Sequence, residues 1–193
     1  MTEERKEKRK GKGLIGTTLV ALFAALIAAG TFIAFPLPFS PVPIVLQNLF
    51  VVLAGLILGP SLGAASVAVY LLVGAVGAPV FAGATGGFAH FFGPTGGYLV
   101  GYLLAALVAG LVAGKPRPEV RTGTLRLVLA ALLAFLAVYA TGVPRLKAVL
   151  GADWPKALAA GFLPFIVGDL AKAAIAVAVA GRLRRIAADH LDA

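Results

Sequence analysis

A chain of 193 residues that is 60% hydrophobic and 13% charged, with a net charge of +9, holds about half the charged fraction of an ordinary soluble domain. From Gly13 to Gly114 there is no Asp, Glu, Lys or Arg. That excludes a water-soluble fold and predicts an all-α, polytopic membrane protein with six transmembrane helices. Cysteine is absent, which excludes disulfides, thiolate metal sites and a Cys nucleophile.

Residues 1–13 read as a disordered basic tail, ahead of a six-helix domain over 14–185 and a short tail over 186–193. The first span is Leu14–Phe35, too long for a signal-peptide core. Ala21, Ala25 and Ala29 recur every four residues along it and make a small-residue ridge that another helix can approach closely. Alanine is so abundant here that such spacing also arises by chance. Phe35 to Pro43 carries Pro36, Pro38, Pro41 and Pro43, which forbid a helix and favour a stiff, extended connection. It is either a lid over a site or a rigid loop.

Ile44–Leu58 is a short second span with Gln47 and Asn48, amides that bond to a neighbouring helix or face a ligand. Gly59-Pro60-Ser61 is a tight turn into the third span, Ser61–Ala78. Pro79–Gly97 follows, with glycines, the aromatics Phe81, Phe88, Phe91 and Phe92, and His90, but no charge. So apolar a loop is expected to fold back into the protein. Thr95–Ala113 is the fourth span, with Tyr98 and Tyr102 one turn apart. Gly114–Thr124 is a basic loop, Leu125–Val143 the fifth span, and Pro144–Lys156 a loop with Trp154 at the interface. Ala157–Gly181 is the sixth span.

A basic balance can signal nucleic acid, but here position argues for a membrane instead. Thirteen of the 17 lysines and arginines fall before the first span, in the Gly114–Thr124 loop or just past it at Arg126, or after the last span. This asymmetry puts both termini in the cytoplasm, with Arg145, Lys147 and Lys156 outside. The bilayer itself is a partner, and nucleic acid is not.

The sixth span contains Leu163-Pro164-Phe165-Ile166-Val167-Gly168-Asp169-Leu170-Ala171-Lys172. Asp169 and Lys172 are three residues apart and share a helix face. A charge at membrane depth costs roughly 2.5–3.5 kcal/mol on the insertion scale, so each must pair or face a cavity or ligand. Pro164, with Gly161 and Gly168 beside it, predicts a bend. One reading is a ligand site; the other is a pair that only holds helices together.

Catalysis finds little support. Ala113-Gly114-Lys115-Pro116 lacks the hydroxyl and preceding strand of a phosphate-binding loop, so ATP hydrolysis is not expected. His90 and His190 are far apart, and neither a metal-ligand pattern nor a membrane carboxylate pair occurs. His90 is a loop residue first and a ligand contact second. What remains is a small apolar pocket with a few placed polar groups, Gln47, Tyr98, Asp169 and Lys172 under the glycine-rich loop.

Four blocks resemble a known family: Pro41 to Gln47, Leu58 to Gly63, Gly93-Pro94-Thr95-Gly96-Gly97-Tyr98-Leu99, and Leu163 to Lys172. In order and spacing they are similar to the biotin-specific substrate-capture (S) subunits of energy-coupling-factor (ECF) transporters, over roughly residues 14–185. The resemblance implies a multi-pass protein of the prokaryotic plasma membrane that binds biotin from outside. Biotin is then the transported ligand, not a cofactor. It implies as partners a transmembrane coupling subunit and two ABC-type ATPases, which use the ATP. It implies that Asp169 and Lys172 contact biotin, with Tyr98, Gln47, Thr85, His90 and Phe88 completing the site. The loop before the fourth span lacks the Asn or Arg some members carry there. Ala21, Ala25 and Ala29 match a ridge that meets the coupling subunit in related proteins. The alternatives are a capture subunit or stand-alone carrier for another small carboxylated vitamin, and, in a different class, a membrane scaffold or small intramembrane enzyme.

Overall fold

The structure, a computed structural model, describes residues 3–192, with side chains from Gly13 to Leu191. Helix α1 runs Glu3–Thr31. It begins within the basic stretch expected to be a disordered tail and ends four residues before Phe35, because the chain turns into a strand. β1 (Ala34–Leu37) and β2 (Ser40–Val45) form a two-stranded antiparallel hairpin, pairing Phe35 with Ile44 and Leu37 with Ser40. The fold is therefore mostly but not purely α. Prolines without an N–H suit the free edges of so small a sheet. The extended backbone was expected; the pairing, which shortens the second span to start at Gln47, was not.

Helix α2 runs Gln47–Ala75 and is interrupted at Gly59, whose φ of 80° and ψ of −176° are outside helix geometry. Glycine alone adopts this conformation readily. Pro60 follows as the first residue of a second arm. The arms, 47–58 and 60–75, lie against each other. A Cβ on Gly63 would stand 2.8 Å from the Cα of Gly55, and the Gln47 side chain donates to the Tyr70 hydroxyl across the pair. Neither contact is possible in a straight helix. The expected turn at 59–61 thus exists within one element, and the second arm stops at Ala75, three residues short of Ala78.

The chain then crosses a glycine-rich segment with a 3₁₀ turn at Phe88–Phe92 before α3 (Gly96–Ala113). Phe81 anchors this segment, buried to 2% exposure and edge-on to Tyr70, His90 and Phe91. The expected fold-back is present. Helix α4 runs Thr124–Leu150 straight through Pro144, so the loop expected from Pro144 is shorter. A membrane helix tolerates the single lost bond where packed neighbours support it. The last span is in two pieces, α5 (Trp154–Gly161) and α6 (Ile166–Asp192), joined by a 3₁₀ turn over Leu163–Phe165. This is the expected bend. Asp153 caps α5, accepting from the Lys156 N–H at 3.2 Å. α6 continues through the segment expected to be a tail from residue 186.

By length and composition, five segments can cross a membrane: Gly13–Thr31, Gln47–Ala75, Gly96–Ala113, Thr124–Leu150 and Trp154–Leu191. Large apolar side chains such as Leu72, Leu111, Leu136 and Val167 point outward, while alanines such as Ala105, Ala109, Ala130, Ala134 and Ala176 are fully buried. Small residues inside and branched ones toward lipid are what close helix packing without water requires. The first arm of α2 is the innermost element, buried at nearly every position.

The arm contact carries a prediction. Backbone lies within 3 Å of a Cβ on Gly63, so Gly63→Val is expected to lower stability by about 1–3 kcal/mol through overpacking. Gly168 and Gly181 have nothing within 4 Å of an added Cβ, so Gly168→Ala and Gly181→Ala should leave the melting temperature unchanged or raise it slightly. Thermal unfolding in detergent, followed by Trp154 fluorescence, compares the three. A Gly63→Val protein as stable as the parent refutes the close arm contact.

Candidate functional site

The junction of β2 with α2 sets out polar groups in quick succession, the Val45 carbonyl, then Gln47, then Asn48, and delivers them to the start of α6. There Asp169 and Lys172 are buried, 5% and 7% exposed. The Lys172 ammonium donates to the Val45 carbonyl (2.7 Å), Asn48 Oδ1 (2.9 Å) and Asp169 Oδ1 (3.0 Å). Three protons meet three acceptors. Asp169 Oδ1 also accepts from Asn48 Nδ2 at 3.0 Å, and its Oδ2 accepts from the Tyr139 hydroxyl. The pair is net neutral and fully hydrogen-bonded, the condition under which charges persist at membrane depth. The i, i+3 spacing on one helix face is realised as an ion pair.

Gln47 lies beside this network and donates to Tyr70, whose hydroxyl donates in turn to the Val80 carbonyl at 3.2 Å. Tyr98 donates to the Gly161 carbonyl at 2.8 Å and so ties α3 to the last turn of α5. Gln47, Tyr98, Tyr102, Phe81 and Thr95 line a cavity of about 30 Å³, room for only one or two waters. Asp169 and Tyr139 also border an apolar groove of about 190 Å³ between α4 and α6, with Leu136, Phe162 and Leu170.

Of the residues singled out from sequence, Asp169 and Lys172 meet directly, and Gln47 and Tyr98 share the cavity near them. The three loop residues stand apart from the charge network. Thr85 donates to the Ala82 carbonyl at 2.9 Å within its own turn. His90 packs on Phe81 with ring centroids 5.7 Å apart. Phe88 is 63% exposed and packs tilted against Phe91 and edge-on against Phe92. Asn48 and Tyr139 complete the network but were not assigned to the site from sequence. The signal for Tyr139 was a phenol hydroxyl in a span whose other polar side chains are only Arg126 and Thr141. Ala21, Ala25 and Ala29 are all exposed on α1.

A second buried cation lies at the end of α6 that meets the basic loop. Arg184, grouped from sequence with the interfacial basic residues, is 4% exposed. It donates to the carbonyls of Leu56, Ala113 (3.2 Å) and Gly114 (3.0 Å) and to the Thr122 hydroxyl (3.2 Å). A roomier cavity at this end, about 580 Å³, is bordered by Gly16, Leu58, Pro60, Lys115 and Leu191 and among the described residues holds no comparable polar cluster.

The BioY family profile matches residues 5–189. A probable biotin transporter BioY of Pyrococcus horikoshii is 46% identical over 167 residues, covering 86% of this chain and 94% of the relative. The biotin transporter BioY of Thermotoga maritima is 41% identical over 166 residues, covering 86% and 93%. The fold is similar to the crystal structure of the S-component for biotin from an ECF-type ABC transporter, with a TM-score of 0.80, 32% identity, and 96% and 95% of the two chains covered. With a family match across nearly its whole length, the chain belongs to the BioY family.

Proposed function

We propose that the chain is the membrane subunit that captures biotin from outside and delivers it inward with an ECF coupling subunit and two ATPases. The observation that carries this is the likeness to the biotin S-component over nearly the entire fold. It is a multi-pass membrane transport protein and not an enzyme. The two arms of α2 count as separate passes, which gives six and puts both termini in the cytoplasm in accord with the basic-residue asymmetry.

The site chemistry supports the reading. Biotin presents two ureido N–H donors, and the Asp169 carboxylate, held by Lys172, Asn48 and Tyr139, is a charged acceptor for them. Lys172 thus acts through Asp169 rather than at the far end of the ligand. Gln47 and Tyr98 form the wall, and Phe88, Thr85 and His90 ride on the loop that covers it. Because the cavity is small, the loop moves outward to admit the ligand.

Purified chain in detergent should bind labelled biotin saturably, and excess lipoate or pantothenate should not compete. Absence of binding, or equal competition by those acids, overturns the assignment. The exposed alanine ridge on α1 is the coupling surface in this reading. Ala25→Leu should reduce uptake in cells that express the partner subunits while leaving biotin binding within about twofold, since a bulky residue only blocks close helix approach. Equal loss of binding and uptake would mark a folding defect instead.

A further inference from the structure

A transported acid has two ends, and the Asp169 network serves only one. All three Lys172 protons are taken, so the anionic end needs another cation. Arg145, Lys147 and Lys156 are the lysines and arginines near the glycine-rich loop and α5. Lys147 Nζ sits 5.3 Å from the Trp154 ring centroid, and Lys156 is exposed in the first turn of α5.

Arg145 differs. Its Nη2 donates to the Phe92 carbonyl at the end of the aromatic turn. Its Nε is buried and has no partner. Among the described residues no carboxylate pairs with it. An unpaired buried donor on a cation is costly, and the guanidinium fork is shaped to grip a carboxylate. Position fits as well. On α4, Arg145 follows Tyr139 by six residues, about 9 Å along the axis, and Tyr139 holds Asp169. Between them Gly142 packs on the Tyr98 ring, and the Arg145 Cβ lies 2.5 Å from where a Cβ on Gly97 would stand. Tyr98 therefore lies between the Asp169–Tyr139 pair and Arg145, and Arg145 reaches on to Phe92 at the end of the aromatic turn.

We propose that Arg145, anchored at the Phe92 carbonyl, binds the carboxylate end of the transported acid. This rests on the biotin-capture reading. The test compares labelled biotin with biotin methyl ester, which keeps the ring and loses the charge, on the full chain in detergent. The parent protein should prefer the acid by about tenfold or more, the span of one charge-assisted pair. Arg145→Gln should remove that preference, weakening biotin while leaving the ester within about twofold, and Arg145→Lys should fall between. Unchanged ester binding also certifies the fold of each variant. The proposal is overturned if Arg145→Gln weakens acid and ester equally, which marks a loop-holding role, or weakens neither. A parent protein that binds ester as tightly as acid overturns it without any variant. If the parent binds neither molecule, the biotin reading itself fails and takes this one with it.

Discussion

Lys172→Met is expected to destabilise the folded protein by about 3–5 kcal/mol, because it leaves the Asp169 carboxylate buried with no cation. Asp169→Asn is expected to cost a similar amount from the other side, stranding an ammonium on the Val45 carbonyl and Asn48. Combining the two removes both charges, and a buried pair replaced by neutral groups is often near neutral in stability. The double variant should therefore melt close to the parent in detergent. Its biotin affinity should not recover. A charge-assisted bond is worth about 1.5–3 kcal/mol, so each single change, where folded, should weaken biotin by roughly tenfold to somewhat over a hundredfold. Stability and affinity thus separate the two roles of the pair. A stable double variant that binds biotin normally would make the network a scaffold only. Unaltered affinity in well-folded Lys172→Met would remove Lys172 from the site.

The second large effect is expected at the other end of α6. Arg184 has no acidic partner among the described residues; the guanidinium is balanced by carbonyl oxygens. Leu56 lies in the last turn of the first α2 arm, and Ala113 and Gly114 end α3. These are helix C-termini, whose partial negative charge favours a cation. Arg184→Met keeps much of the volume but leaves three carbonyls and a hydroxyl short of a donor. At about 1–3 kcal/mol for each stranded group, the loss should exceed about 3 kcal/mol and show as a large drop in melting temperature. Arg184→Lys should recover only part, because one compact ammonium cannot span the same acceptors. Melting that is unchanged in Arg184→Met would show the carbonyls to be solvated and the clasp to be dispensable.

Local signals and long-range ones fared differently. The membrane class follows from charge depletion, and the bend before α6 follows from Gly161 and Pro164. The turn at Gly59 and the Asp169–Lys172 pairing follow from neighbours in sequence. The hairpin at 34–45 was legible as extended chain but not as a sheet, because proline runs report backbone preference and say nothing about pairing. Pro144 misled for the same reason: its local cost is real, and packing of α4 against α3 outweighs it. Asn48 meets Asp169 across 121 positions and Tyr139 meets it across 30, which no spacing rule reaches. Arg184 counted correctly as a charge on the basic side, yet its burial is a tertiary fact.

The break at Gly59 bears on how the chain enters the bilayer during synthesis. The first arm, 47–58, is about 18 Å long, too short to be recognised as a span by itself. It must be inserted together with the second arm as a unit. If the break were lost, so that Gln47–Ala75 formed one straight rod, the two passes proposed for this segment would become one. Every later helix would then be threaded in the reverse sense, and the arginines of the Gly114–Thr124 loop would face the side opposite to the proposed one. In the proposed six-pass arrangement a single backbone conformation, available to glycine and costly for any other residue, thereby sets the parity of the whole polypeptide in the membrane.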